Sequence, residues 1–297
     1  MMIFKRRPTV AEWSKTWLEL YKKGRIVEMS FLNYASMVEL HILPHIGHKR
    51  VNKVCQADIM LVLNKLTCYS YSHIKRGYSA MNQIFNSAKE NNLIKSNPAE
   101  GVLIPHGKGN GKRRSITDDE RKSILELAET HRYGIWIKLL LFCGVRPGET
   151  GRIKKRHIDV ENSLLYVDGT KSLHAKRKVP ITDPDFLKEL ITYAENLDED
   201  DFLFTTEDGR PMTQGRKQFF WTEFKRDLSY YEPGLCPYCL RHTFCTDMQH
   251  AGVPITIAAK LMGHSDPKIT ARVYTHYTDE SLNVAADLLK KYREPQK

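Results

Sequence analysis

LRHTFCTDMQHAGVPITIAAKLMGHSDPKITARVYTHYT, residues 240–278, is the stretch on which the fold is decided. Pro237, Pro254 and Pro267 each stand where a first helical residue belongs, and Gly252 and Gly263 follow two of the ends. Proline suits a first turn, which leaves its N–H groups unbonded, and glycine suits the left-handed residue at a helix end. The pattern predicts helices at Pro237–Ala251, Pro254–Met262 and Pro267 to about Thr275, with another at Glu280–Tyr292. On the first, Leu240, Phe244 and Met248 form an apolar stripe and Arg241 lies beside it. A guanidinium so placed is partly buried and needs an anion, either an internal acid or a ligand. His264 directly follows Gly263, and Tyr274 falls near the end of the next helix.

Upstream, Ile135–Cys143 reads as a buried helix that ends at Gly144. Arg146 then stands between that helix and one expected to start at Pro147, with Glu149 three residues on and able to pair with it. Here the period changes to short extended runs, Leu164–Val167 and Lys176–Ile181, with Asp168-Gly169 as a turn signal. Helices resume at Asp185–Glu195 and about Gln214–Leu228, and a capping box, Thr117 with Glu120, opens the whole region.

The first hundred residues read as helices alone. Thr9 with Glu12 is a second capping box, ahead of an apolar stripe that includes Trp13, Trp17 and Leu18. Further helices are expected from near Ser30 to Leu43, stopped by Pro44 and Gly47, at Ala57–Leu66, and at about Ser72–Asn91. Between the two regions, Gly107-Lys108-Gly109-Asn110-Gly111-Lys112-Arg113-Arg114 has three glycines, four positive charges and no acid. It reads as a flexible linker drawn to phosphate or as a solvated loop. The expected organisation is a helical domain at 1–105, a basic linker at 106–115 and a mixed helix-and-sheet domain at 116–297. No internal repeat is found.

Composition narrows the function classes. The 46 Lys and Arg against 35 Asp and Glu leave a net charge of +11 in 297 residues, which favours a polyanionic partner. The longest apolar stretch, Ile135–Val145, is broken by Lys138 and is far short of a membrane span. The first eight residues carry charges with no apolar run behind them, so no secretory signal is expected. Six cysteines are too few for a disulfide scaffold and fit a reducing cytoplasm.

Two arginines, a lysine, a histidine and a tyrosine together suit one chemistry. Guanidinium forks match the oxygens of a phosphodiester, a tyrosine hydroxyl can attack phosphorus, and a lysine near Lys171 can protonate the leaving oxygen. No metal or cofactor is expected, because the guanidinium groups stabilise the charge. Cys236, Cys239, His242 and Cys245 repeat every three residues, but four ligands along one helix cannot wrap a tetrahedral ion. Ala259, Gly263 and Ile269 have helix-turn-helix spacing, which would suit a regulator but leaves Arg146, Lys171 and Tyr274 unused.

The sequence resembles the tyrosine recombinases, or phage-type integrases, over nearly its whole length. LLLFCGVRPGETGRIKKRHID, residues 139–159, looks like the family's first box, and residues 240–278 look like its second. The resemblance implies a mainly α fold with a small antiparallel β-sheet, made of a helical core-binding domain and an α+β catalytic domain that close on DNA. It implies Arg146 and Arg241 as the phosphate-binding arginines, Glu149 as their supporting acid, His264 as a phosphate or nucleophile contact, and Tyr274 as nucleophile. DGTKSLHAKRKVPI, residues 168–181, resembles the hairpin with the catalytic lysine, which maps to Lys171, with Lys176 nearby. Three residues before Arg241 the family usually has a general-base histidine, and Tyr238 stands there. A phenol is a poor base at neutral pH but a good hydrogen-bond donor.

The implied activity is site-specific cutting and rejoining of double-stranded DNA through a 3′-phosphotyrosyl link, by a homotetramer on paired sites in the cytoplasm. Lys108, Lys112, Arg113 and Arg114 would add DNA contacts. A type IB-like topoisomerase and a non-catalytic helix-turn-helix regulator are the alternatives. Fewer than a dozen residues precede the first helix, so the arm-site-binding domain of many phage integrases is missing from this sequence, either truly absent or cut off by a shortened reading frame. The amphipathic set Leu282, Ala285, Leu288, Leu289 and Tyr292 would dock on a neighbouring subunit or on its own domain.

Overall fold

The Thr9 hydroxyl accepts from Glu12 N at 3.2 Å while Glu12 Oε2 accepts from Thr9 N at 2.7 Å, and this box starts α1, Val10–Trp17. The computed structural model describes residues 6–109, 114–169, 176–206, 209–266, 268, 270–271, 283, 286–287 and 290. The chain forms two compact units, Met1–Gly111 and Lys112–Lys297.

The first unit holds α1, α2 (Glu28–Met37), α3 (Leu43–Ile46), α4 (Gln56–Lys65) and α5 (Tyr71–Glu90). Ile74, Met81, Ile84 and Phe85 of α5 are buried in one core with Trp13, Trp17, Ile59 and Leu63. Burying each such side chain is worth roughly 1.5–3 kcal/mol. The Trp13 indole stays satisfied there, donating to Ile84 O at 3.0 Å and to Ser87 Oγ at 3.2 Å. The helix expected from Ser30 to Leu43 takes a different form. It begins at Glu28, widens into a π-helical turn at Val38–Ile42, and is followed by α3. Pro44 does not stop the chain, because it sits in the first turn of α3, where a missing N–H is tolerated.

In the second unit, Thr117 and Glu120 again form a capping box, opening α6 (Asp118–Ala128). The central helix is α7 (Gly134–Phe142), whose Trp136, Ile137, Leu139, Leu140 and Leu141 are all buried. Lys138, which interrupts that apolar run, is buried too and is held by Glu129 and Glu189, each at 2.8 Å or less. β1 (Ile158–Asp159), β2 (Leu164–Val167) and β3 (Arg177–Pro180) make an antiparallel sheet in that order, with Leu165 opposite Val179 and Val167 opposite Arg177. Then come α8 (Pro184–Tyr193), α9 (Gln214–Asp227), α10 (Pro237–His250) and α11 (Ile255–Met262). Helices α6, α8 and α10 pack on α7. The fold is mainly α with one small antiparallel sheet among the described residues, as expected.

Two local expectations are corrected. No helix starts at Pro147: the chain turns there, with Glu149 N donating to Arg146 O at 2.8 Å, and one 3₁₀ turn follows at Thr150–Arg152. The turn holds because the Glu149 carboxylate reaches back to the Arg146 backbone N–H at 2.9 Å. Pro254 is the N-cap of α11, not its first helical residue. Leu282, Ala285, Leu288, Leu289 and Tyr292 lie outside the described residues, as do most positions of the helices expected after Pro267. Among the described residues no helix is long and apolar enough to cross a membrane.

Candidate active site

Two left-handed glycines set the frame of the site. Gly144, with φ +56°, ends α7 and turns the chain toward Arg146. A Cβ there would lie 2.2 Å from the Phe244 ring, so the tight packing of α10 on this turn requires glycine. Gly263, with φ +61°, ends α11, and His264 N bonds back to Ala259 O at 3.0 Å. That bond fixes where the His264 ring leaves the chain.

The last carbonyls of a helix have no partner within it and carry the negative end of its dipole. Three guanidinium groups satisfy them at α11. Arg177 Nε donates to Leu261 O at 2.6 Å, Arg241 Nη2 donates to Met262 O, and Arg146 Nη2 donates to Gly263 O at 2.6 Å. Arg241 Nη1 also donates to Gly144 O, so it joins both glycine turns. A guanidinium carries five N–H groups. Among the described residues these arginines are therefore gathered around one point with hydrogens to spare on Arg146 and Arg241.

Glu149 is the acid between them. Arg146 Nη1 donates to its Oε1 at 2.7 Å, and Arg177 forks onto it, Nη1 to Oε1 at 3.2 Å and Nη2 to Oε2 at 2.9 Å. Burial alone would raise this carboxyl, but the Arg177 fork and charge, followed by Arg146, hold it below the usual range. Burial, then Arg146 and Arg177, push Arg241 down to about 9, which leaves it charged at neutral pH. His264 is pushed down to about 4 by burial and by Arg241, Arg146 and Arg177, so its ring is neutral at pH 7. Its Nε2 faces Arg241 Nη2 at 3.3 Å and its Nδ1 faces Thr270 Oγ1 at 2.8 Å. Because a guanidinium only donates, Nε2 accepts and the proton sits on Nδ1.

The structure thus brings together Arg146, Glu149, Arg241 and His264. Tyr238 lies in the first turn of α10, one turn before Arg241, and is 39% exposed. Lys171, Tyr274, Lys112 and Arg113 fall outside the described residues. Lys176 is exposed and 3.2 Å from Asp168. Lys108 belongs to the first unit, where its backbone N–H donates to Tyr69 O at 2.9 Å. Arg114 is not a free linker cation. It forks onto the fully buried Glu120 at 2.5 and 2.7 Å, which holds that carboxyl down at about 2 against the pull of burial. The reason lies in the burial of Glu120: it is fixed by the Thr117 cap and, from 112 residues away, by Glu232 N, and a buried carboxylate needs a cation.

Arg177 was not anticipated. Its signal lies in the period of β3, where Arg177 and Val179 share the buried face while Lys178 is exposed. An arginine at an inward strand position needs a buried acid, and the one it finds is 28 residues away in the chain. Thr270, the partner of His264, was also missed. Cys236 and Cys239 lie 3.6 Å apart, Sγ to Sγ, and all six cysteines are free. Among the described residues no group of three or more His, Cys, Asp or Glu is arranged to hold a metal.

The model of the phage integrase family matches residues 114–281, and that of the phage integrase N-terminal SAM-like domain matches residues 9–67. The chain belongs to the phage integrase family. Among its relatives is the tyrosine recombinase XerA of Thermococcus onnurineus, 34% identical over 178 residues, covering 59% of this chain and 62% of the relative. The chain spans between 61% and 63% of the length of three such archaeal relatives. A XerC-like tyrosine recombinase of Caldanaerobacter subterraneus is 25% identical, covering 95% of this chain and 82% of the relative. In fold, this integrase-family chain resembles the Tn1549 transposon integrase solved with a circular intermediate DNA. The TM-score is 0.75 at 19% identity, over 95% of this chain and 99% of that one. A lambda integrase dimer bound to a core site gives a TM-score of 0.74 at 18% identity, over 91% and 79%.

Proposed function

We propose that this phage integrase family member is a site-specific DNA recombinase that cuts and rejoins double-stranded DNA through a 3′-phosphotyrosyl intermediate. The observation that carries the reading is the cluster of Arg146 and Arg241 beside a neutral His264, which among the described residues has a net positive charge and donors to spare. Such a site suits a phosphodiester passing through a five-coordinate transition state.

In this mechanism the Tyr274 hydroxyl attacks the scissile phosphorus and the bond to the 5′ oxygen breaks. Lys171 gives the leaving oxygen its proton. Arg146 and Arg241 bind the non-bridging oxygens, and the phenol proton leaves to water, since Tyr238 in the usual histidine position serves as a hydrogen-bond donor. A 5′ hydroxyl from the partner duplex then displaces the tyrosine, so neither ATP nor a metal takes part. Residues 1–105 act as the core-binding domain and 116–297 as the catalytic domain. Lys108, Lys112 and Arg113 add contacts to the DNA backbone. Four protomers act on two paired sites, in the cytoplasm.

The test uses a pool of nicked duplex oligonucleotides of randomised sequence, from which a cleaved end cannot be religated. The wild-type chain traps a covalent protein–DNA adduct on a denaturing gel, and Tyr274→Phe traps none. A wild-type chain that binds the pool and never forms an adduct sinks the enzymatic reading.

A further inference from the structure

We infer that Arg177 is a positioning residue of the strand-transfer site, holding the charge of Glu149 from behind so that Arg146 keeps its own for the phosphate. The inference rests on the recombinase reading and adds a residue to it. Glu149 is shared by two guanidinium groups that differ in access. The Arg177 side chain is 2% exposed and commits Nε, Nη1 and Nη2 to protein acceptors, whereas Arg146 is 23% exposed and makes a single side-chain contact to the acid. Arg177 therefore acts inward, and Arg146 is the one that opens outward.

The charge balance shows what this arrangement does. Among the described residues of the site, three guanidinium groups, one carboxylate and a neutral imidazole sum to two positive charges. Without Arg177, Glu149 would fall to Arg146 alone, and the arginine facing the phosphate would be neutralised by its own support. The negative charge that develops on a five-coordinate phosphorus would then meet half the counter-charge that this group of residues supplies. Arg177 has a second hold on the geometry through Leu261 O, next to the carbonyls that place Arg241 and Arg146. A partner for a buried acid that served folding alone would not care about the charge left on Arg146, and this separates the two roles.

The experiment measures single-turnover adduct formation on the nicked pool, with DNA affinity and thermal melting measured on the same preparations. Arg177→Gln is expected to slow adduct formation by about 10²-fold, on the scale of losing one donor from a charge-stabilising site. Its DNA affinity should stay within about threefold of wild type, because Arg177 does not face solvent. Arg177→Gln with Glu149→Gln removes the acid along with its partner and returns this group of residues to two positive charges. This double variant should regain rate, to within about tenfold of wild type. Arg177→Gln cleaving at the wild-type rate overturns the proposal, as does a double variant no faster than Arg177→Gln. If Arg177→Gln fails to fold, the double Gln variant, which keeps an acceptor for the Arg146 backbone N–H, carries the comparison against wild type. A rate more than about tenfold below wild type then overturns the proposal. A wild-type chain without any adduct would instead bring down the recombinase reading, and this inference with it.

Discussion

Arg241 Nη2 and His264 Nε2 stand 3.3 Å apart, and the direction of that contact fixes the protonation of the ring. Burial disfavours the charged ring, and a protonated imidazole would also turn an N–H toward a guanidinium, so the folded state holds His264 neutral down to about pH 4.

A pH dependence of stability follows from this. An unfolded chain protonates this histidine near its ordinary value, while the folded chain resists until about 4. Between those limits the unfolded state binds more protons, so stability falls as pH drops and is flat for this group above the unfolded value. His264→Gln should therefore lose less stability than wild type between pH 7 and pH 4.5, as measured by urea midpoints at the two pH values. Equal losses in both proteins would refute the assignment.

Arg146→Ala and Arg241→Ala should each slow adduct formation by about 10²- to 10³-fold, the scale of removing one donor from a site that stabilises developing charge. Single-turnover rates on the nicked pool measure this. Arg241 joins Gly144 O to Met262 O, so its variant should also melt at a lower temperature than Arg146→Ala.

Gly263→Ala tests the turn that gathers the arginines. The new Cβ would sit 2.9 Å from Arg177 Nη1 and 3.2 Å from Arg146 Nη1, on a backbone at φ +61°. The left-handed conformation alone costs roughly 1–2 kcal/mol for a residue with a side chain. We expect a loss of about that size in urea unfolding, together with slower adduct formation.

Binding to duplex DNA should weaken steeply with salt, with log K falling by about 0.9 per decade of salt for each phosphate neutralised. Arg114→Ala should leave that slope unchanged, because its guanidinium is spent on Glu120. It should instead lower stability by about 2 kcal/mol, the scale of a hydrogen-bonded charge left without its partner. A reduced salt slope in Arg114→Ala would return this residue to the DNA interface.

The elements legible in the sequence were those whose signals are local. Both capping boxes form as read, and the helix expected at Ala57–Leu66 is found one residue earlier, at Gln56–Lys65. Gly144 and Gly263 are left-handed helix ends, where the punctuation placed them. Local signals also put Arg146 beside Glu149, three residues apart. What escaped depends on distant parts of the chain. Arg177 reads as one more cation in a basic run until β3 turns it inward onto Glu149. Arg114 reads as linker charge until Glu120 claims it. The π turn at Val38–Ile42 carries no mark that distinguishes it from ordinary helix.

The three carbonyls at the end of α11 give the arginines a template that owes nothing to the substrate. Their torsions are held, and their water partly stripped, by contacts within the protein. An arriving anion thus finds its counter-ions aimed in advance, and the reorganisation that solvent would demand for the same charge is absent from the barrier. In the proposed reaction, what is left to align at each encounter is the scissile linkage itself.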